Sequence, residues 1–279
     1  MQKQLLPLID YFLAEDIREG DHTSLSCIPD TATDKARLII KGDGVIAGIE
    51  LAELIFNRVD ADLEVEVLIQ DGSVVKYGDI GLIVRGKTQS ILQAERIVLN
   101  CMQRMSGIAT MTHQFMEQVK GTNAKVLDTR KTTPGIRVLE KWAVRIGGGH
   151  NHRMGLYDMV MIKDNHHDYA GGITNAVKAT RQYLTEKELD LKVEVEVRNL
   201  EELAEVLSLE GVNRVMLDNF DVATTKEAVG IVNGQIETES SGGITLDTIR
   251  PYAKAGVDYI SVGALTHSYK SLDISLKAF

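Results

Sequence analysis

Residues 192–219, KVEVEVRNLEELAEVLSLEGVNRVMLDN, decide the fold. The opening run alternates, so Val193, Val195 and Val197 share one face of a strand and Glu194 and Glu196 share the other. Residues 200–209 then have helical periodicity, and 213–217 form a second apolar run that ends in Asp218-Asn219. A strand, a helix and a strand in succession make a parallel pair, because parallel strands need a crossover connection. The same unit recurs in both directions. Strands are expected at 124–128, 158–162, 192–197, 213–217, 235–239 and 257–262, with helices at 135–146, 172–184, 200–209, 222–232 and 245–255. Six units are two short of a full (β/α) barrel, which leaves an incomplete barrel or a doubly wound open sheet. Polar residues follow nearly every strand: Asp128-Thr129-Arg130-Lys131, Lys163-Asp164-Asn165, Asp218-Asn219, Ser240-Ser241-Gly242-Gly243 and Gly263. An open sheet gathers such residues at one switch point, whereas a barrel carries them all round its rim, so the incomplete barrel is favoured.

Upstream the rhythm differs. A helix is expected at 4–18, strands through 36–85, and helix over 89–119 with a break at Ser106-Gly107. The expected fold class is therefore α/β, an incomplete (β/α) barrel at 111–266 with an N-terminal α+β domain at 1–110. Residues 267–279 are available to pack with the first domain.

Composition sets bounds on function. The chain has 279 residues, of which 44% are apolar and 25% charged, with 24 Gly and 4 Pro, which is a globular profile. No apolar run approaches the length of a membrane span, and acids inside the first apolar stretch argue against a signal peptide. Two cysteines, Cys27 and Cys101, cannot build a disulfide framework, and both read as buried thiols of a reducing cytoplasm. The net charge of −9 argues against nucleic acid or anionic membrane as a partner. Against that background, 129–153 carries Arg130, Lys131, Arg137, Lys141, Arg145 and Arg153 with one acid, Glu140. A cationic island in an acidic chain points to a small anionic ligand. Arg137, Lys141 and Arg145 lie at helical spacing and read as a solvated face.

Valines suit the helix-covered side of a barrel strand, which sends Glu194 and Glu196 inward. Buried carboxylates need partners or a metal, and Asp218 on the neighbouring strand makes a solvated edge strand less apt. Such strand-end acids hold Mg2+ or sugar hydroxyls. Ser241-Gly242-Gly243 and Gly263-Ala264, each opening a helix after a late strand, suit a phosphate. Arg130, Lys131, Arg153 and Lys163 suit carboxylates. His150, His152, His166 and His167 lack a zinc-binding pattern.

Longer motifs carry a resemblance. DTRKTTPG (128–135), GGGHNHRMGLYDMVMIKDNH (147–166), VEVEV (193–197), MLDNF (216–220), SGGIT (241–245) and DYISVGALTH (258–267) closely resemble the quinolinate phosphoribosyltransferase family. So do GDHTS (20–24) and AERIVLN (94–100). The resemblance implies an N-terminal α/β domain and an incomplete barrel. It also implies a reaction of quinolinate with phosphoribosyl pyrophosphate (PRPP) and Mg2+, giving nicotinate mononucleotide, pyrophosphate and CO2 in NAD biosynthesis. It assigns quinolinate to Thr129, Arg130, Lys131, His152, Arg153 and Lys163, with Arg96 supplied by the partner subunit of a homodimer. PRPP falls to Lys131, Lys163, Glu196, Asp218, Ser241, Gly242, Gly243, Gly263 and Ala264. The catalytic residues it implies are Lys131, Glu196 and Asp218, the two acids holding Mg2+ directly or through PRPP. His22 and His167-Asp168-Tyr169 depart from the family pattern without touching these residues. A non-catalytic sugar-phosphate sensor would need the glycine turns but not Lys131, Glu196 and Asp218 together.

Overall fold

The computed structural model describes residues 2–279, with side chains from 5 onward; Met1, the first residue of the expected N-terminal domain, lies outside the described residues. The chain forms two compact units. One takes the residues up to His113 together with 134–148 and 269–279, and the other takes 114–133 and 149–268.

In chain order the first elements are α1 (Gln2–Asp16), α2 (His22–Cys27), β1 (Thr33–Ile40), β2 (Gly44–Val45), α3 (Ile49–Val59), β3 (Glu64–Val67), β4 (Val74–Val75), β5 (Ile80–Lys87) and α4 (Thr88–Val119). Two expectations fail here. The stretch 36–85 is not strands throughout, because α3 interrupts it. Ile49, Ala52, Ile55 and Phe56 recur at helical spacing and are buried. The first N–H groups of α3, on Ile49 and Glu50, donate to the Asp71 carboxylate at 2.9 and 3.3 Å. Asp71 is thus a distant helix cap as well as a turn residue.

The break expected at Ser106-Gly107 is also absent, and α4 runs unbroken for 32 residues. The small residues serve close approach instead. A Cβ on Gly107 would strike the carbonyl of Lys270, and the Ser106 hydroxyl accepts the Ala47 N–H at 2.9 Å. The C-terminal strand pairs antiparallel with β1, Ala36 opposite Ala278, and joins the sheet that β1 forms with β5 and β3.

The remaining elements are β6 (Lys125–Leu127), α5 (Arg137–Ile146), β7 (Val160–Ile162), α6 (Asp164–Ala170), α7 (Ile173–Glu186), β8 (Val193–Val197), α8 (Leu200–Leu207), β9 (Arg214–Asp218), α9 (Val222–Val232), β10 (Glu237–Ser241), α10 (Ile249–Ala255), β11 (Tyr259–Ser261), α11 (Ala264–His267) and β12 (Ile274–Ala278). All six expected barrel strands are present. They form one parallel sheet in the order β6-β11-β10-β9-β8-β7. A parallel bridge from Leu127 to His150 lies beyond β6, and β7 ends the other side. Six strands flanked by helices give the α/β fold class and the incomplete barrel.

Residues 134–148, assigned to the barrel on sequence, cluster with the first unit, where Glu140 of α5 binds Arg104 of α4 at 2.9 Å. Lys141 is fully buried and not solvated. The expectation of two buried thiols also fails: Cys27 is exposed and Cys101 is half-buried. Burial pushes the Cys101 thiol up to about 12.

Candidate functional site

Each barrel strand delivers one piece of the site from its C-terminal end. After β6, the Lys131 N–H donates to the Thr129 hydroxyl at 3.0 Å, and the Thr266 hydroxyl donates to the Lys131 carbonyl at 2.9 Å. The backbone of Lys131 is pinned while its side chain stays exposed. The buried Asp128 carboxylate accepts the His152 N–H at 2.9 Å. Beyond Arg153, the Asp158 carboxylate accepts the N–H groups of Met154 and Gly155 at 2.7 and 2.8 Å and closes that loop.

At the end of β7, the Lys163 ammonium donates to Glu196 of β8 at 2.9 Å. At the end of β9 stands Asp218, steadied by the Asn219 amide at 2.8 Å. Asn219 is left-handed, with φ of 56°, and its N–H donates to the Ser241 carbonyl at 2.9 Å. Its side chain lies where a Cβ on Gly242 would fall, and Gly242 itself has φ of 102°, so only glycine fits that turn.

These ends enclose a hollow of about 940 Å3. Thr129, Arg130, Lys131, His152, Arg153, Lys163, Glu196, Asp218, Ser241, Gly242, Gly243, Gly263 and Ala264 all line it. Arg96 does not line it. It lines a separate hollow of about 540 Å3 within the first unit, with Phe12, Asp16, Arg104 and Tyr269. Burial, and then the nearby charge of Glu196, raise the Asp218 pKa. Burial, and then the charge of Arg130, lower that of Arg153. Two guanidinium groups therefore face one region, and two carboxylates from adjacent strands face another. The acids are hard oxygen donors that suit a magnesium ion, and the cations suit an anion with more than one carboxylate.

At the floor of the hollow, which His152 and Glu239 line, lies a second cluster that sequence reading left incomplete. Glu194 points inward as expected and is fully buried, as is Glu239 of β10. The His152 Nε2 lies 3.0 Å from Glu194 and 3.5 Å from Glu239. Arg214, at the start of β9, donates to Glu239 at 2.9 Å and stacks on Tyr259 at 3.8 Å. Burial depresses the His152 pKa, but the two carboxylates outweigh it and raise it to about 9. Yet the His152 Nδ1 accepts the Arg153 N–H at 2.7 Å. A proton on Nδ1 would set donor against donor at that distance, so the ring is the neutral Nε2–H form. Burial, and then the charge of Glu239, push the Glu194 carboxyl up to about 7. Glu237-Thr238-Glu239 repeats the period-two placing of acids seen in Val193–Val197, and that echo was the available signal for Glu239.

Comparison with known proteins places the whole chain. The family description "Quinolinate phosphoribosyl transferase, N-terminal domain" matches residues 21–106, and its C-terminal counterpart matches residues 108–277. The "Nicotinate-nucleotide pyrophosphorylase [carboxylating], chloroplastic" of Arabidopsis thaliana is 49% identical, covering 98% of this chain and 82% of the relative. A Bacillus subtilis protein, "Probable nicotinate-nucleotide pyrophosphorylase [carboxylating]", is 41% identical, covering 98% of this chain and 93% of the relative. Among solved structures, NadC from Streptococcus pyogenes superposes with a TM-score of 0.94 at 36% identity, covering 100% of this chain and 98% of that one. The nicotinate-nucleotide pyrophosphorylase of Francisella tularensis gives 0.93 at 38% identity, covering 100% and 97%. With both family domains matched, over residues 21–106 and 108–277, and relatives up to 49% identical covering nearly all of it, the chain belongs to the quinolinate phosphoribosyl transferase family.

Proposed function

We propose that the barrel hollow joins quinolinate to the ribose of PRPP and releases pyrophosphate and CO2, forming nicotinate mononucleotide for NAD biosynthesis. The observation that carries this reading is the convergence of all six strand ends on one hollow, with diacid-gripping cations beside a pair of acids and two glycine turns.

Strand order suggests where each part of the reactants sits. The turns at Ser241–Gly243 and Gly263–Ala264 follow adjacent strands and offer backbone N–H groups to the 5′-phosphate. Asp218 and Glu196, on the next strands, face the ribose hydroxyls. Lys131, beyond β11, reaches the leaving pyrophosphate. Arg130, Arg153 and Lys163 take the carboxylates of quinolinate, for which Lys163 exchanges its partner Glu196. As pyrophosphate leaves, positive charge grows on the ribose, and Glu196 and Asp218 stabilise it. Lys131 neutralises the charge that builds on the departing group. Fixed charges of this kind supply the largest share of the rate. Ribosylation makes the ring a pyridinium, whose nitrogen stabilises the carbanion left when the adjacent carboxylate departs as CO2, and a proton from water then completes the nicotinate ring. The pocket's part in that step is to hold the second carboxylate still, and no organic cofactor is needed.

Glu196 and Asp218 are the residues that would hold Mg2+, directly or through PRPP. When bound, the ion neutralises pyrophosphate charge. Arg96, in its own hollow, supports a homodimer in which each copy lends this arginine to the other's quinolinate site. Among the described residues, no helix is long and apolar enough to cross a membrane. Two free thiols support a cytoplasmic setting, and the acidic charge supports small molecules over nucleic acid.

The test is release of labelled CO2 from quinolinate, with PRPP and Mg2+ each omitted in turn. CO2 is expected only with all three present. Release without PRPP, or transfer to nicotinate in preference to quinolinate, overturns the reading.

A further inference from the structure

The resemblance gives His152 to a quinolinate carboxylate, but its ring faces protein groups on both sides, with a hydrogen bond at Nδ1 and two close carboxylates, without hydrogen-bond geometry, at Nε2. Nε2 faces Glu194 and Glu239 at 3.0 and 3.5 Å, and Nδ1 accepts the Arg153 N–H at 2.7 Å. The His152 side chain is 5% exposed, and its own N–H is held by Asp128. The imidazole is therefore a link between a buried ionic cluster and the backbone of the next residue, and that residue is an arginine that lines the hollow.

The cluster is anchored on three adjacent strands. Glu194 of β8 lies opposite Arg214 of β9, and the Arg214 guanidinium donates to Glu239 of β10 at 2.9 Å and to Glu237 at 3.2 Å. The ligand atoms of His152, Glu194 and Glu239 lie within 4.8 Å of one another, close enough for a divalent metal. Arg214 already supplies the positive charge at Glu239, so a metal there would be repelled. A fixed anchor explains the arrangement better. The Arg153 N–H occupies the Nδ1 lone pair, which puts the ring proton on Nε2, on the side of the two carboxylates 3.0 and 3.5 Å away.

We propose that Glu194, Glu239 and Arg214 are positioning residues for the quinolinate pocket, acting through His152 to fix the backbone of Arg153 and aim its guanidinium at a pyridine carboxylate. This rests on the reading of Arg153 as a quinolinate ligand. A displacement of about 1 Å in such a group costs up to about a hundredfold in rate.

Two substitutions at His152 separate the roles of its nitrogens. In His152→Asn the amide oxygen falls near the place of Nδ1 and keeps an acceptor for the Arg153 N–H. In His152→Gln the amide nitrogen falls near the place of Nε2 and keeps only the donor toward Glu194. Steady-state kinetics with quinolinate, PRPP and Mg2+ are expected to show a quinolinate KM at least about tenfold higher in His152→Gln than in His152→Asn, the PRPP KM of the two agreeing within about twofold. Glu239→Gln is expected to raise the quinolinate KM about tenfold and to spare that for PRPP. If it melts below assay temperature, the two His152 variants still decide. The opposite order, with Gln better than Asn, would place Nε2 on the substrate and overturn the proposal. A lower melting temperature with unchanged KM values overturns it as well, because that marks a purely structural cluster. So does a stoichiometric zinc complex formed by the unmodified protein and lost in Glu239→Gln. Arg153→Ala serves as the control: an unchanged quinolinate KM there refutes the reading of the site itself, and the positioning role with it.

Discussion

Glu196 and Glu194 stand two residues apart on β8, face the same interior, and belong to two different kinds of region. At the rim, Glu196 holds the Lys163 ammonium beside an open hollow, and Asp218 approaches from the next strand. Deeper in, Glu194 meets His152, and Glu239 meets Arg214, with Glu194 and Glu239 fully out of solvent. Both regions pair acids with bases across neighbouring strands. They differ in what can replace a partner. A rim ion pair can exchange one partner for a ligand oxygen or a cation, because solvent covers the intermediate arrangement. A buried pair has no such substitute, and losing one member strands a charge. Residue type alone thus does not separate binding groups from structural ones; access to an exchange partner does.

Removing the base in each region exposes this contrast. Arg214→Ala should cost about 3–5 kcal/mol of stability, read by denaturant or thermal melting, since Glu239 is left without its guanidinium. A melt unchanged from the parent would erase the distinction between the regions. Lys131→Ala, at the rim, should lower turnover by about 10²–10³ and leave the melt nearly unchanged. Mixing that chain with Arg96→Ala should restore activity through mixed dimers carrying one intact site, whereas no recovery would assign Arg96 to its own subunit. The smallest effect is expected at the opposite end of the strands. Lys192 lies 3.7 Å from Glu237 with its side chain 62% exposed. Lys192→Ala should change stability by no more than about 0.5 kcal/mol and leave turnover alone. A larger loss would extend the buried region's behaviour to a solvated pair.

Much of the barrel was legible because its signals are local. The six strands are short apolar runs, Val193–Val197 declares its faces by alternation, and the rim residues follow the strands directly in sequence. The errors arose where packing at a distance decides. Gly107 looked like a helix break because its reason, the Lys270 carbonyl, is far along the chain. The helix at Ile49–Val59 was absorbed into a strand region because its cap, Asp71, comes after it and not before it. Residues 134–148 read as a barrel helix, yet they cluster with the first unit, where Arg104 supplies the partner of Glu140. The buried cluster escaped for the same reason. Its members come from separate strands, and Arg214 offered no cue beyond a single base at the head of an apolar run.

The alternation in β8 also limits how the gene can change. Inserting or deleting one residue within 193–197 would turn the rest of the strand's side chains to the opposite face, putting valines toward the hollow and carboxylates against the helices. Tolerated length variation must therefore fall in connections such as 187–192, and β8 acts as a fixed ruler against which the other catalytic loops are free to drift.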